Sequence, residues 1–324
     1  MTTIWITGAA GFLGGHAVRH FARSGHHVVA FPGDHPPPDD CGPLTCRWIP
    51  GPLGEATAQA LEQEMPDIVL HAAGGGLVAA AALDPLLNYE RTVVETACLL
   101  DRLRRTKAPV RVLYPSSAAV YGNRGEEPLD EKSPCTPVSV YGWHKLGVEL
   151  LLGEARSLHG LTTVAVRFFS LYGPGLRKQV LWDWTKRFLW AAKEDVLLLG
   201  GGRENARDFL FIDDALSLLD RLVELPACRL PQVVNGGSGT ATRLAELAAL
   251  ISDRTGGRVF RFDGAGRAGD PAFYRADTTL ARGLGLPPPR PLGEGLDAYL
   301  EWAIPEIRRL QQEAQNRRVA IPTP

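Results

Sequence analysis

Within its first twenty-four residues the chain reads Ile4 to Thr7, an apolar run, then Gly8-Ala9-Ala10-Gly11-Phe12-Leu13-Gly14, then an amphipathic stretch from Phe12 to about Ser24. Three glycines at this spacing, between a strand and a helix, leave the segment few alternatives. The first permits a tight turn, the second lets the backbone approach a phosphate, and the third lets the helix lie close on its strand. The start of the helix then presents unpaired N–H groups and a positive partial charge. The placement predicts a dinucleotide site built from Gly8, Gly11, Phe12, Leu13 and Gly14.

The segments downstream support that reading. His27 to Phe31, Asp67 to Ala72 and Val110 to Ser116 are short apolar runs, and a long helical stretch through about Arg105 precedes the last of them. Such runs, separated by helices, predict a parallel sheet covered on both faces. The expected fold is α/β, a Rossmann-type doubly wound parallel sheet with a smaller C-terminal α/β substrate lobe. Residues 1–170 form the dinucleotide-binding domain, with a return segment at about 206–237; residues 171–205 and 238–324 form the substrate-binding lobe. Pro32 to Gly54, rich in Pro and Gly, reads as a loop excursion. Later come a Trp-rich helix (Trp182, Trp184, Trp190), a helix from about Thr242 to Thr255 and a terminal helix through Arg318.

Composition narrows the partners. With 35 basic and 36 acidic residues the net charge is -1, which disfavours a protein that neutralises nucleic-acid phosphates. No apolar run approaches the roughly 18 residues that span a bilayer, and no signal sequence opens the chain, so a cytoplasmic protein is expected. The 5 cysteines form no CxxC pair. His16 and His20 stand one helical turn apart without a third ligand at a recognisable spacing, so no metal is expected. Only six of the basic residues are lysines, so a lysine at a motif position stands out.

One such lysine closes Tyr141-Gly-Trp-His-Lys145, which puts a phenol and an ammonium on one helix face. A phenol is a poor base at neutral pH; a neighbouring ammonium and a bound nicotinamide cation favour its phenolate. Upstream, Ser117 in Ser116-Ser117-Ala118-Ala119-Val120-Tyr121-Gly122 sits where a strand ends and can bond a substrate hydroxyl beside Tyr141. At the adenosine end, the position about 20 residues beyond the glycines, usually acidic for NAD, is Pro32. Asp34 is the nearest carboxylate, and no Arg favours a 2′-phosphate, so NAD and NADP both stay open.

Taken together, these residues resemble the extended short-chain dehydrogenase/reductases of the NAD-dependent epimerase/dehydratase, nucleotide-sugar-modifying type. The likeness continues through His71-Ala72-Ala73, Arg167-Phe-Phe-Ser-Leu-Tyr-Gly-Pro-Gly175, Arg207-Asp208-Phe209, Asn235-Gly-Gly-Ser-Gly239 and Arg267-Ala-Gly-Asp270, in the family's order. It implies that Tyr141 is the acid/base on a sugar hydroxyl, that Lys145 tunes it and holds the nicotinamide ribose, and that Ser117 shares the proton network. Ser116 would lie close to the nicotinamide, and Ala72 and Ala73 along the cofactor's centre. Ser170, Lys178, Arg207, Arg267 and Asp270 would hold a nucleotide-diphosphate sugar, the arginines by bidentate bonding. Three positions depart from the family pattern: Thr92 and Ser170 stand where relatives carry Asn, and Pro52 where they carry Asp.

The resemblance also orders the possible reactions. Dehydratases of the family carry an Asp-Glu pair directly after the active-site hydroxyl residue, and decarboxylases a Glu at the second position; here stand Ala118 and Ala119, which move no protons. NAD(P)-dependent epimerisation at sugar carbon 4 is the leading expectation, with NAD(P)H-dependent reduction of a keto-sugar as the alternative. A 3,5-epimerase using Lys178 and Cys135 ranks lower. So does a non-catalytic NAD(P)-binding sensor, against which intact Ser117, Tyr141 and Lys145 argue. The family implies a homodimer, for which Leu99, Leu100, Leu103, Leu146, Leu150 and Leu151 supply apolar positions at helical spacing that would equally serve a core.

Overall fold

The structure is a computed structural model that describes residues 1–33, 35–36, 46–192, 195–265 and 271–319. The chain opens with β1 (Thr3–Thr7), α1 (Phe12–Arg23), β2 (His27–Phe31), β3 (Cys46–Trp48), α2 (Leu53–Leu61) and β4 (Ile68–His71). Helices α3 (Val78–Leu83) and α4 (Pro85–Tyr89), a π-helical turn at Glu90–Val94 and α5 (Glu95–Thr106) lead to β5 (Arg111–Ser117). Then come α6 (Val140–His159), β6 (Thr162–Phe168), β7 (Ser170–Tyr172), α7 (Gln179–Trp190), β8 (Leu197–Leu199) and β9 (Ala206–Phe211). The last part comprises α8 (Ile212–Glu224), β10 (Val233–Gly236), β11 (Ala241–Arg243), α9 (Leu244–Thr255), β12 (Phe260–Phe262), α10 (Thr279–Gly283) and α11 (Leu292–Val319).

Seven strands form one sheet in the order β10-β6-β5-β4-β1-β2-β3, and every pairing in it is parallel. Both faces are apolar because alternate residues of each strand point to opposite sides. Ile4, Ile6, Val28, Ala30, Ile68 and Leu70 join the core beneath α1 and α8. Trp5, Val29, Val69, Val112 and Tyr114 pack against α2, α5 and α6. The strand order reverses between β1 and β4, and at such a point the carboxyl ends of the strands open into a crevice.

Smaller sheets complete the molecule: β9 lies between β7 and β11, and β12 pairs with β8. Trp182 and Trp184 of α7 are buried in this half, Trp182 against a tilted Trp302 ring and Trp184 edge-to-face with Phe262. The core is continuous across both halves, running from Ile4 to Ile307. The α1 histidines tie the first helix to later segments. His16 Nε2 meets the Pro174 carbonyl at 2.8 Å, and His20 Nε2 meets Asp220 at 2.5 Å.

Several local expectations change. The Pro32–Gly54 stretch carries β3, the edge strand of the main sheet, and α2 begins at its end; three residues are too few to show a period. The helical stretch through Arg105 is broken at Asp84-Pro85, where the Asp84 carboxylate caps α4 by accepting the Leu87 N–H at 2.9 Å. Ala241–Arg243, expected as the start of a helix, instead pairs antiparallel with β9.

Candidate active site

At the turn after β1 the glycines leave no room for side chains. Gly8 has φ +65°, and a Cβ there would lie 2.5 Å from the Ala72 carbonyl oxygen. A Cβ on Gly14 would lie 2.2 Å from the Gly8 oxygen, so this glycine sets how closely α1 approaches the turn. Gly11, exposed, caps α1 without a side-chain hydrogen bond. The first N–H groups of a twelve-residue helix therefore face the switch-point crevice. A pyrophosphate fits this cradle: backbone donors, a helix start, and a floor made by Gly8 against Ala72 and Ala73.

A line of buried hydroxyls and one histidine supports that floor. Thr96 Oγ1 donates to the Thr92 carbonyl at 2.5 Å, so it accepts from His71 Nε2 at 2.9 Å. His71 Nδ1 then accepts from Thr7 Oγ1 at 2.7 Å, and Thr7 Oγ1 accepts the Ala73 N–H at 3.1 Å. Burial holds His71 down to about 3, with the Lys145 charge adding to the effect, which keeps the ring neutral as this bonding pattern requires. Thr92 accepts the Gly75 N–H at 3.1 Å, so the hydroxyl at this departure from the family pattern steadies the loop after β4. Thr7 adjoins the glycine turn and His71 opens the His71-Ala72-Ala73 run, but no motif marks Thr96, and only the sheet brings the three together.

The catalytic residues expected from sequence come from two elements. Ser139 caps α6, accepting the Gly142 N–H at 3.1 Å, and places Tyr141 and Lys145 one turn apart. A Cβ on Gly142 would meet the Ala119 oxygen at 2.5 Å, so α6 is pressed against the turn after β5. There the Ser117 hydroxyl accepts the Ala119 N–H at 3.2 Å and lies beside the Tyr141 phenol. Burial pushes the Tyr141 phenol up, and the neighbouring Ser117 hydroxyl opposes the rise. Lys145 Nζ is buried, donates to the Pro115 carbonyl at 2.9 Å and stands 4.5 Å over the Tyr114 ring. Burial drags its ammonium down to about 7, and Glu149 opposes the fall. Ser117, Tyr141 and Lys145 are thus gathered at one strand end.

Other expected positions divide. Ser116 turns its hydroxyl into the interior, donating to Glu149 at 2.5 Å. Ser170 opens β7, half-buried. Lys178 precedes α7, and its Nζ lies 3.4 Å from where a Gly76 Cβ would sit, facing the loop after β4. Arg207 is buried in β9, with Nη1 donating to the Ala206 carbonyl at 2.8 Å and its guanidinium 5.7 Å over the Tyr274 ring. The adjoining Asp208 accepts from Ser238 N and Oγ, Gly239 N and Ala276 N at 2.6 to 3.0 Å, gathering the loops around it. Asp34, Arg267 and Asp270 lie outside the described residues. Cys135 is half-buried among apolar neighbours, where burial raises its thiol. Leu99, Leu100 and Leu103 belong to the core rather than to a free face, whereas Leu150 is 69% exposed. Among the described residues no cluster could hold a metal ion, and no helix is long and apolar enough to cross a membrane.

Comparison with known proteins places the chain in a family. The family model described as "NAD dependent epimerase/dehydratase family" matches residues 4–237. Protein CapI of Staphylococcus aureus is 24% identical, over 93% of this chain and 98% of its own. A probable UDP-glucuronate 4-epimerase of Rhizobium meliloti is 25% identical, over 94% and 97%. Among solved structures, MoeE5 in complex with UDP-glucuronic acid and NAD superimposes with TM-score 0.81 and 28% identity, over 94% of this chain and 99% of that one. TunA, an NAD-dependent NDP-hexosamine 5,6-dehydratase, does so with TM-score 0.82 and 28% identity, over 93% and 97%.

Proposed function

Starting from the fact that the chain belongs to the NAD-dependent epimerase/dehydratase family, we propose that it is a 4-epimerase of a UDP-linked hexose or hexuronate, with NAD as cofactor. The observation that carries this reading is the juxtaposition of Ser117 and Tyr141 beside the buried Lys145 ammonium, combined with Ala118 and Ala119 at the next two positions. Gly8, Gly11, Gly14, Ala72 and Ala73 would hold the pyrophosphate, and Lys145 the nicotinamide ribose. When bound, the cofactor supplies a reversible acceptor for the hydrogen leaving sugar carbon 4. Tyr141 takes the proton from the 4-hydroxyl, while the Lys145 charge favours the phenolate and Ser117 holds the same oxygen in line. With the opposite sugar face presented, the same phenol returns the proton. Dehydration needs further acid/base groups beside carbons 5 and 6, which the methyl groups of Ala118 and Ala119 do not supply. Ser170, Lys178, Arg207, Arg267 and Asp270 are proposed to line the nucleotide-sugar side.

The purified protein incubated with UDP-glucose or UDP-glucuronic acid should yield the carbon-4 epimer, with no net change in nicotinamide absorbance. Stoichiometric consumption of reduced cofactor would make it a reductase, and solvent deuterium at carbon 5 a dehydratase or 3,5-epimerase; either overturns the proposal. The chain is also proposed to form a homodimer across α4 and α6, where Leu86 and Leu150 are 67% and 69% exposed beside Tyr89 and Trp143. Sedimentation should show two protomers for the wild type and one for Leu150→Glu. A wild-type monomer at micromolar concentration would refute the assembly.

A further inference from the structure

Beneath the reacting pair lies a buried ionic cluster that takes no part in the proton transfers proposed for the reaction. Glu149 stands one helical turn beyond Lys145 on α6, so the two side chains share a face. Its carboxylate accepts from Ser116 Oγ at 2.5 Å, from Arg167 Nε at 3.0 and 3.2 Å, and from Arg167 Nη2 at 2.7 Å. Arg167 lies opposite Ser116 in the β5–β6 register, and its guanidinium rests 4.7 Å over the Tyr121 ring. Glu149 and Arg167 are only 8% and 5% exposed. A buried ion pair is a poor way to gain stability compared with an apolar pair of the same volume. Its position, with Arg167 opposite Ser116 and Glu149 one turn from Lys145, points to another role.

We propose that Glu149 is a positioning residue: gripped by Arg167 and Ser116, it fixes the α6 face bearing Tyr141 and Lys145 against the Ser117 end of β5 and holds a carboxylate one helical turn from the Lys145 ammonium. The role in turnover rests on the epimerase reading; the electrostatic role does not. Lys145 faces Tyr114 from β5, His71 from β4, and Tyr141 and Glu149 from its own helix. Glu149 in turn faces Arg167 from β6 and Ser116 from β5, with Tyr114 and Cys135 in its field. Behind Arg167 lie Tyr121 and Glu131, whose carbonyl accepts from Arg167 Nη1 at 3.2 Å. Burial keeps His71 neutral and pushes the Tyr114, Tyr141 and Cys135 groups toward their neutral forms, while Arg167 keeps its charge. Glu149 is the group that pulls the Lys145 ammonium upward against its burial.

Six lysines in the chain make the test direct. In protein without substrate, the Lys145 side-chain signal in a lysine-labelled NMR titration, assigned by its loss in Lys145→Arg, should have its midpoint near 7 in wild type. In Glu149→Gln the midpoint should fall by about one pH unit or more, and the alkaline limb of kcat/KM should move down with it. Because this change strands the Arg167 charge, the charge-neutral double variant Glu149→Gln/Arg167→Met keeps the test open should the single variant not fold. The lowered midpoint should persist there. A midpoint within about 0.3 unit of wild type in whichever variant folds overturns the proposal, whatever happens to turnover. A lowered midpoint in a chain that does not epimerise would retain the electrostatic role and refute only the proposed reaction.

Discussion

Tyr141→Phe should lower kcat on a nucleotide-diphosphate sugar by about a thousandfold, the middle of the range for a positioned acid/base group. The substitution removes one oxygen from a site that is otherwise kept. The phenyl ring still fills its place near Lys145, whose ammonium lies 5.8 Å from the ring centre, and Lys145 keeps its bond to the Pro115 carbonyl. Ser117 loses the neighbouring phenol oxygen but keeps the bond from the Ala119 N–H, so the turn after β5 should hold. Substrate KM, NAD affinity and thermal midpoint should therefore stay near wild type while kcat collapses. Steady-state kinetics beside a cofactor titration separates these quantities. A variant with more than about a tenth of wild-type kcat would remove Tyr141 from the chemistry.

Gly8→Ala should cost about 3 kcal/mol of stability, combining a left-handed backbone with a backbone clash, and should abolish NAD binding. At this glycine φ is +65°, and the added Cβ would lie 2.5 to 2.7 Å from Ala72 O, Ala72 C and Ala73 N. None of these is the yielding end of a side chain, so the loop after β4 has to move. That loop is held from below by Thr7 through the Ala73 N–H, and Thr7 is bonded to His71. Gly25→Ala is the control: φ there is +82°, but nothing lies within 4 Å of the added carbon, so strain alone, about 1 kcal/mol, is expected. Urea denaturation and cofactor titration of the two variants make the comparison. Wild-type NAD affinity in Gly8→Ala would mean that the cradle is not the cofactor site.

Local chemistry made much of this molecule legible in its sequence. The glycine turn, α1 and the strand His27–Phe31 show because each depends on residues adjacent in the chain: a positive φ, a helix start, an apolar run between turn residues. Ser117, Tyr141 and Lys145 show for the same reason, the last two through helical spacing. Strand β3 does not, since three residues at a sheet edge take their structure from Val28–Ala30 beside them rather than from their own pattern. Nor do Leu99, Leu100 and Leu103 reveal whether they face a partner or a core, because an apolar stripe is identical in both cases.

The sequence alone determined the class of fold, the glycine turn proposed to hold a dinucleotide and the helical spacing that pairs Tyr141 with Lys145, because short-range stereochemistry dictates all three. Only the tertiary structure decided what surrounds them. Bringing β4 beside β1 joins Thr7, His71 and Thr96 into one hydrogen-bonded line, although 64 residues separate the first pair. Packing α6 across β5 and β6 buries Glu149 with Arg167 and turns the Ser116 hydroxyl inward to meet them. Spacing along a chain carries no record of such contacts, because a buried polar group is satisfied by whatever the fold brings within about 3 Å of it.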